Sequence, residues 1–257
     1  MTSPRTITVT RYVTPLREGG SLPAIVEADD DGLYVLKFRG AGQGAKALIA
    51  ELVSGEIARA LGLPVPEIVL AQLDPDLART EPDPEIHALI HDSAGLNLAL
   101  DYLPGSVSYD PVIHSMAAEL ASRIVWFDAL VTNVDRTARN TNMLMWHRTP
   151  WLIDHGATLY FHHSPDWMDT PERATRGFAA IREHVLLTRA PAIRQVDGQM
   201  AAVLGAEVVE RILALVPDEW LEAGGALPSA ARAVYARYFQ DRLAAPRAFV
   251  EEAARAG

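Results

Sequence analysis

Residues 133–156 limit most what this chain can become. They read Asn133-Val134-Asp135-Arg136-Thr137-Ala138-Arg139-Asn140-Thr141-Asn142, then two short apolar runs, then Ile153-Asp154-His155-Gly156. The runs 143–146 and 151–153 can pair as a hairpin around His147-Arg148-Thr149-Pro150. A hairpin has its entrance and exit at one end, so Asn140 and Asp154 are expected side by side. Asp135 stands five positions before Asn140, and Asp154 fourteen after it. An acid, an amide and a second acid at this spacing suit metal-dependent phosphoryl transfer. One carboxylate takes a proton from a hydroxyl, and two oxygen donors hold the Mg²⁺ that bridges the phosphates of ATP. Asp135 is expected in the first role, Asn140 and Asp154 in the second. Asp-x4-Asn alone also fits a plain polar loop; Ile-Asp-x-Gly at the right distance gives it weight.

With 257 residues the chain can bury a sizeable core in one large domain or two lobes. Apolar residues make up 49% and charged residues 22%, the balance of a soluble globular protein. The absence of cysteine excludes disulfides, a thiolate nucleophile and thiolate metal sites, and it fits a cytoplasmic setting. The first residues are polar, with no apolar signal core, and no run is long and apolar enough to span a membrane. A net charge of −10 ranks nucleic acid low as a partner. The stretch 74–85, with Pro75, Pro82 and Pro84, reads as loop.

Residues 7–13 alternate β-branched and polar side chains as a strand does. Residues 22–28 and 33–38 flank Asp29-Asp30-Asp31-Gly32 as a hairpin. Just before it, Gly19, Gly20 and Ser21 form a turn whose backbone N–H groups can lie over ATP phosphates, or a plain β-turn. Lys37 lies in a strand that is apolar on both faces, where an enclosed lysine needs an anionic partner; the other reading is a strand-end lysine reaching out to water, since Arg39-Gly40 follows at once. ATP phosphates together with a glutamate from the next helix would supply that partner. Gly40-Ala41-Gly42-Gln43-Gly44 resembles a dinucleotide fingerprint, the basis of a rival Rossmann-type oxidoreductase reading. Its third glycine comes one position early, and no parallel strand ending in an acid follows.

A helix is expected over 45–61, stopped by Gly62-Leu63-Pro64, with Leu48, Leu52, Ile57 and Leu61 as its apolar stripe. Glu51 borders the small residues Ala47, Gly55 and Ala58, where a sheet can approach, so it is expected near Lys37. Glu56 is expected to be a solvated surface charge. Residues 66–73 and 85–91 read as strands. Residues 97–105 read as a strand broken at Pro104-Gly105, either a plain edge strand ending at a turn or, in a two-lobed kinase, the crossing between lobes, with Asp101, Tyr102 and Leu103 the candidates for backbone contact with an adenine edge.

From Ile113 to Val131 apolar residues recur at three and four, the mark of a buried helix, with Asp128 a structural acid inside it. Arg136 and Arg139 are open to two readings, neutralising phosphate or an acidic substrate, or lying solvated. Amphipathic helices are expected over 178–188, 206–216, 228–243 and 246–255. His147, His155, His162 and His163 cluster in sequence without the helical spacing of a metal site. No Gly-x-Ser-x-Gly elbow is present for hydrolysis.

These pieces together resemble the HipA-like kinases, with an overlap to the phosphatidylinositol 3/4-kinase-like group. The matching residues are Val35-Leu36-Lys37-Phe38, the helix from Glu51 through Ala58-Arg59 to Gly62-Leu63 and Val65-Pro66, Leu100-Asp101-Tyr102-Leu103, Asn133-Val134-Asp135 with Asn140, and Ile153-Asp154-His155-Gly156. The chain departs from the lipid-kinase pattern at Thr137, where a histidine is usual, and at His155, where phenylalanine is usual.

The resemblance implies an α+β, two-lobed, protein-kinase-like fold. A small β-rich lobe over 1–103 would bind ATP, and a larger helical lobe over 104–257 would hold the catalytic loop and Mg²⁺. It implies Asp135 as base, Asn140 and Asp154 as metal ligands, Lys37 on phosphate, and 101–103 on adenine. The acceptor would be a hydroxyl-bearing substrate, protein Ser/Thr or a small alcohol. The alternative is a nucleotide-binding pseudokinase. The chain is shorter than a full HipA toxin, and an antitoxin-type partner has no support in its residues.

Overall fold

The computed structural model describes residues 3–16, 22–169, 173–222, 225 and 227–257. Five strands close a barrel in the order β1-β2-β3-β5-β4. They are β1 (Thr6–Pro15), β2 (Ala24–Ala28), β3 (Leu33–Lys37), β4 (Ile68–Leu73) and β5 (Gly95–Asp101). The alternation legible in the sequence is what points Ile7, Val9, Val26 and Leu36 inward. β3 pairs antiparallel with both β2 and β5. β5 lies between β3 and β4, the strand that follows the glycines and the next helix, so the two are not neighbours in an open parallel sheet, and a closed barrel does not match a dinucleotide-binding fold.

Helix α1 (Ala45–Ala60) follows those glycines. It ends where Gly62 takes φ 71° and the Leu63 N–H reaches the Ala58 carbonyl at 2.9 Å. Every residue over 48–58 is buried, so the helix is enclosed all round rather than along one stripe. Glu56, expected to be solvated, is instead only 6% exposed and pairs with Arg59 at 3.4 Å. Gly55 explains the close fit: a Cβ there would lie 2.5 Å from Ile68 Cδ1 on β4.

Residues 85–91 are not a strand. They lie in α2 (Pro84–Asp92), where the Asp83 side chain accepts the Glu85 N–H, proline takes the first turn, and Ile86 and Ile90 are buried four apart. The loop expected before it holds one 3₁₀ turn, Pro75–Thr80.

β6 (Val107–Ser108), β7 (Met143–Trp146) and β8 (Thr149–Leu152) form a second sheet. The hairpin turn is tighter than expected, with His147 and Arg148 at φ 47° and 66° and Trp146 paired with Thr149. The long helix is shorter than its apolar repeat suggests: α3 is Ala118–Leu130. Ile113 is 75% exposed, in a loop folded back by Asp110 Oδ1, which accepts the Val112 N–H at 2.7 Å.

The helix expected over 178–188 is two separate 3₁₀ turns, Ala179–Glu183 and Leu187–Arg189. Then come α4 (Ile193–Val203), which the sequence reading missed, α5 (Ala206–Leu213), α6 (Asp218–Glu222), α7 (Pro228–Leu243) and α8 (Ala248–Ala256). α3 packs against α4 and α8, while α5 and α6 reach back onto α1. One apolar core fills the barrel beneath α2, and a second runs from α1 through α3 to α8. Among the described residues no helix is long and apolar enough to cross a membrane.

Candidate active site

β3 ends on Lys37, and α1 carries Glu51 past it. Lys37 Nζ lies 2.5 Å from Asp154 Oδ1 and 3.6 Å from Glu51 Oε2. The expected Lys37–Glu51 approach is therefore present, with Asp154 completing it. Burial works against a charge on Lys37, but Glu51 and Asp154 outweigh it and raise its pKa. Glu51 is likewise buried, and Lys37 with His155 holds its carboxyl well below the usual range. His155 is fully buried, with Nδ1 3.3 Å from Glu51 Oε1 and its ring edge-on to Phe127 at 5.7 Å. It fills the middle of the Asp-x-Gly turn and anchors the helix glutamate, a role that nothing in its spacing announced.

The loop after α3 carries the other half. Asn133 Oδ1 accepts the Asp135 N–H at 3.0 Å, fixing that backbone in a short side-chain turn. Asp135 Oδ2 accepts Asn140 Nδ2 at 2.8 Å and Asn142 Nδ2 at 3.0 Å. Asn142 was not among the expected residues. It takes φ 46° at the threshold of β7, is 8% exposed, and its carbonyl accepts the Ile153 N–H at 3.1 Å. That bond sets it one residue from Asp154 across the hairpin. The signal available in the sequence was an asparagine directly before an apolar strand.

Lys37 and Asp154 from one half and Asn140 and Asn142 from the other line one cleft of about 1560 Å³, while Asp135 and Glu51 are not among its lining residues. The expected Asp101, Tyr102 and Leu103 line it as well. Val35, Leu100, Met143 and Ile153 give it apolar walls. The backbone N–H groups of Asp101 and Tyr102 are already bonded, to the carbonyls of Glu67 at 2.9 Å and Leu33 at 3.0 Å. Gly19, Gly20 and Ser21 lie outside the described residues; Leu16 and Pro23, on either side of them, line the cleft.

Among the lining residues Asp101, Asp110 and Asp154 outnumber Lys37 and Arg139, so the cleft carries an excess of negative charge. Its donors at the hairpin mouth are hard oxygens, the Asp154 carboxylate and the amide oxygens of Asn140 and Asn142. That set fits Mg²⁺.

Arg136 does not face the cleft. It is 1% exposed and bonds Asp128 Oδ2 through Nε at 2.6 Å. Its burial removes it as a contact for phosphate or an acidic substrate. Arg139 is exposed and lines the cleft. The histidines are dispersed among other partners: His147 against Trp146, His155 beneath Glu51, and His162 Nε2 3.0 Å from His163 Nε2.

Residues 9–241 match the family model described as HipA-like kinase. No match was found among curated proteins. Among solved structures the chain is similar to the Helicobacter pylori proinflammatory kinase CtkA, with a TM-score of 0.59 at 13% identity, over 98% of each chain. At that identity the likeness is one of fold, and the fold is the two-lobed kinase fold. The Golgi casein kinase gives a TM-score of 0.44 at 12% identity, over 94% of this chain and 74% of that one. Its structure with Mn/ADP bound also gives 0.44 at 12%, over 94% and 73%.

Proposed function

The chain belongs to the HipA-like kinase family, and on that premise we propose that it transfers the γ-phosphate of ATP, with Mg²⁺, to a hydroxyl group of a protein Ser/Thr or a small alcohol. The lobes are 1–103 and 104–257, with the cleft between them. The observation that carries this reading is the joining of Lys37–Asp154 to Asp135–Asn142 by the bond between Ile153 and Asn142.

Each group has a part suited to its surroundings. Val35, Leu100, Met143 and Ile153 would give adenine its apolar surroundings. The Leu103 N–H, which donates to no described residue, meets its edge. Lys37 holds phosphate oxygens, and Glu51 holds Lys37. Asp154, with Asn142 or Asn140, would hold Mg²⁺. The bound ion supplies charge neutralisation on the phosphate oxygens.

Both amide bonds to Asp135 fall on Oδ2, which leaves Oδ1 to accept the acceptor hydroxyl. The proton passes to that carboxylate as the hydroxyl oxygen bonds the γ-phosphorus. The bond from phosphorus to the β–γ bridging oxygen breaks and ADP leaves. Alignment and charge neutralisation are what this reaction chiefly asks of a protein. The cytoplasm, where ATP and Mg²⁺ are both held, is the compartment this reading calls for.

Calorimetric titration with ATP tests the nucleotide and metal roles without knowledge of the acceptor. The wild type is expected to bind ATP more tightly with Mg²⁺ than without, and Asp154→Asn to lose that increment while still binding ATP. An increment that survives the substitution removes Asp154 from the metal site.

A further inference from the structure

A buried polar cluster lies beneath the loop that carries Asp135. Asp128, on α3, is fully enclosed. Its Oδ1 accepts Asn133 Nδ2 at 2.7 Å, and its Oδ2 accepts Arg136 Nε at 2.6 Å and His184 Nε2 at 2.9 Å. Each donor then grips a different part of the loop. Asn133 bonds the Asp135 N–H. Arg136 Nη1 donates to the Asn142 carbonyl, the same oxygen that takes the Ile153 N–H. His184 forms an isolated backbone bridge with Thr137. Its Nδ1 accepts the Leu186 N–H at 3.1 Å, so both ring nitrogens are engaged, one on Asp128 and one on the backbone beyond the loop.

The Asp128 carboxylate faces the Arg136 guanidinium, and the two opposite charges are buried together. Burial opposes the charge on Asp128, but Arg136 and His184 outweigh it and lower its pKa. Arg136 Nη2 is buried with no hydrogen-bond partner. Apolar residues of equal volume can be as stable as a buried ion pair, so stability alone does not account for this cluster. Its distinctive product is a fixed relation between the two ends of the loop.

Resting on the kinase reading above, we propose that Asp128, Arg136 and His184 are positioning residues. They hold the Asp135 carboxylate and the Asn142 amide in the one relation that lets base and metal donor serve the same phosphoryl group.

The test is Asp128→Asn, which keeps the volume and removes the charge, read by amide hydrogen exchange and by kinetics. The Asp135 and Ile153 amides are expected to lose protection while those of α7 and α8 keep theirs. For ATP, kcat is expected to fall by roughly a hundredfold with KM unchanged, as misplacement of reacting groups predicts. A merely structural role would lower protection throughout and leave kcat per folded molecule alone. Should Asp128→Asn not fold, Arg136→Lys, which keeps the charge and loses the fork, is read in the same way. The proposal is overturned by a folded variant whose Asp135 and Ile153 amides exchange as in the wild type, or whose kcat stays within about twofold. If the wild type transfers no phosphate, the kinase reading fails instead, and the exchange pattern alone decides whether the network holds the loop.

Discussion

Lys37 meets Asp154 at 2.5 Å although 117 residues separate them in the chain. The contact joins the barrel to the β7–β8 hairpin, and through Glu51 it reaches α1. The ammonium is the shared partner of two carboxylates, and each loses its compensation if Lys37 is removed.

Lys37→Met should therefore damage stability as well as ATP binding. Glu51 is 1% exposed and would remain buried opposite His155 alone. Removing one member of a buried pair costs about 3–5 kcal/mol. Urea denaturation should show a loss of that order for Lys37→Met, and recovery of part of it in Lys37→Met/Glu51→Gln. A single variant as stable as the wild type would mean that the pair is not buried in solution.

The same carboxylates set an acid limit. Glu51 is lowered from 4.5 to about 2, and Asp128 is lowered as well. A depressed carboxylate contributes stability that is complete above its unfolded pKa and is lost as pH falls through its folded value. The urea midpoint should therefore decline between pH 4.5 and about 2, the window set by Glu51. Asp128→Asn should start from a lower midpoint and decline less steeply. An equal slope in the two proteins would remove Asp128 from the acid response.

Much of this site was legible because the physics was local. Lys37 stood in a strand apolar on both sides, so a buried partner was required, and a small-residue edge on the next helix pointed to Glu51. The hairpin arithmetic brought Asn140 and Asp154 to the same cleft. Arg136 was misread because its partners arrive from elsewhere: Asp128 from within α3 and His184 from far downstream. No spacing around residue 136 reveals a buried guanidinium. Residues 85–91 misled because their isoleucines suit a strand, yet Asp83-Pro84 was a helix start in plain view. α4 was hidden by Asp197-Gly198, which resembles a break. In the fold Asp197 accepts Trp126 Nε1 at 2.8 Å and Arg247 Nη2 at 2.7 Å, which keeps that helix docked.

Gly55 offers a separate handle on the distance between α1 and the barrel. Valine there must displace Ile68 or push the helix off β4. Overpacking of this kind costs about 1–3 kcal/mol. Gly55→Val should lower stability and weaken ATP binding, because Glu51 moves with the helix. Adding Ile68→Val should restore part of both. ATP affinity unchanged in a destabilised Gly55→Val would show that the position of α1 does not govern Lys37.

The central claim is that Asp135, Asn142, Asp154 and Lys37 form one phosphoryl-transfer site with Asp135 as its base. It is tested most directly by incubating the protein with Mg²⁺ and ATP radiolabelled in the γ-phosphate, and following label onto the protein or added hydroxyl acceptors. The wild type should transfer label only when Mg²⁺ is present. Asp135→Ala should fold, bind ATP as the wild type does, and transfer none. Undiminished transfer by Asp135→Ala would contradict the account.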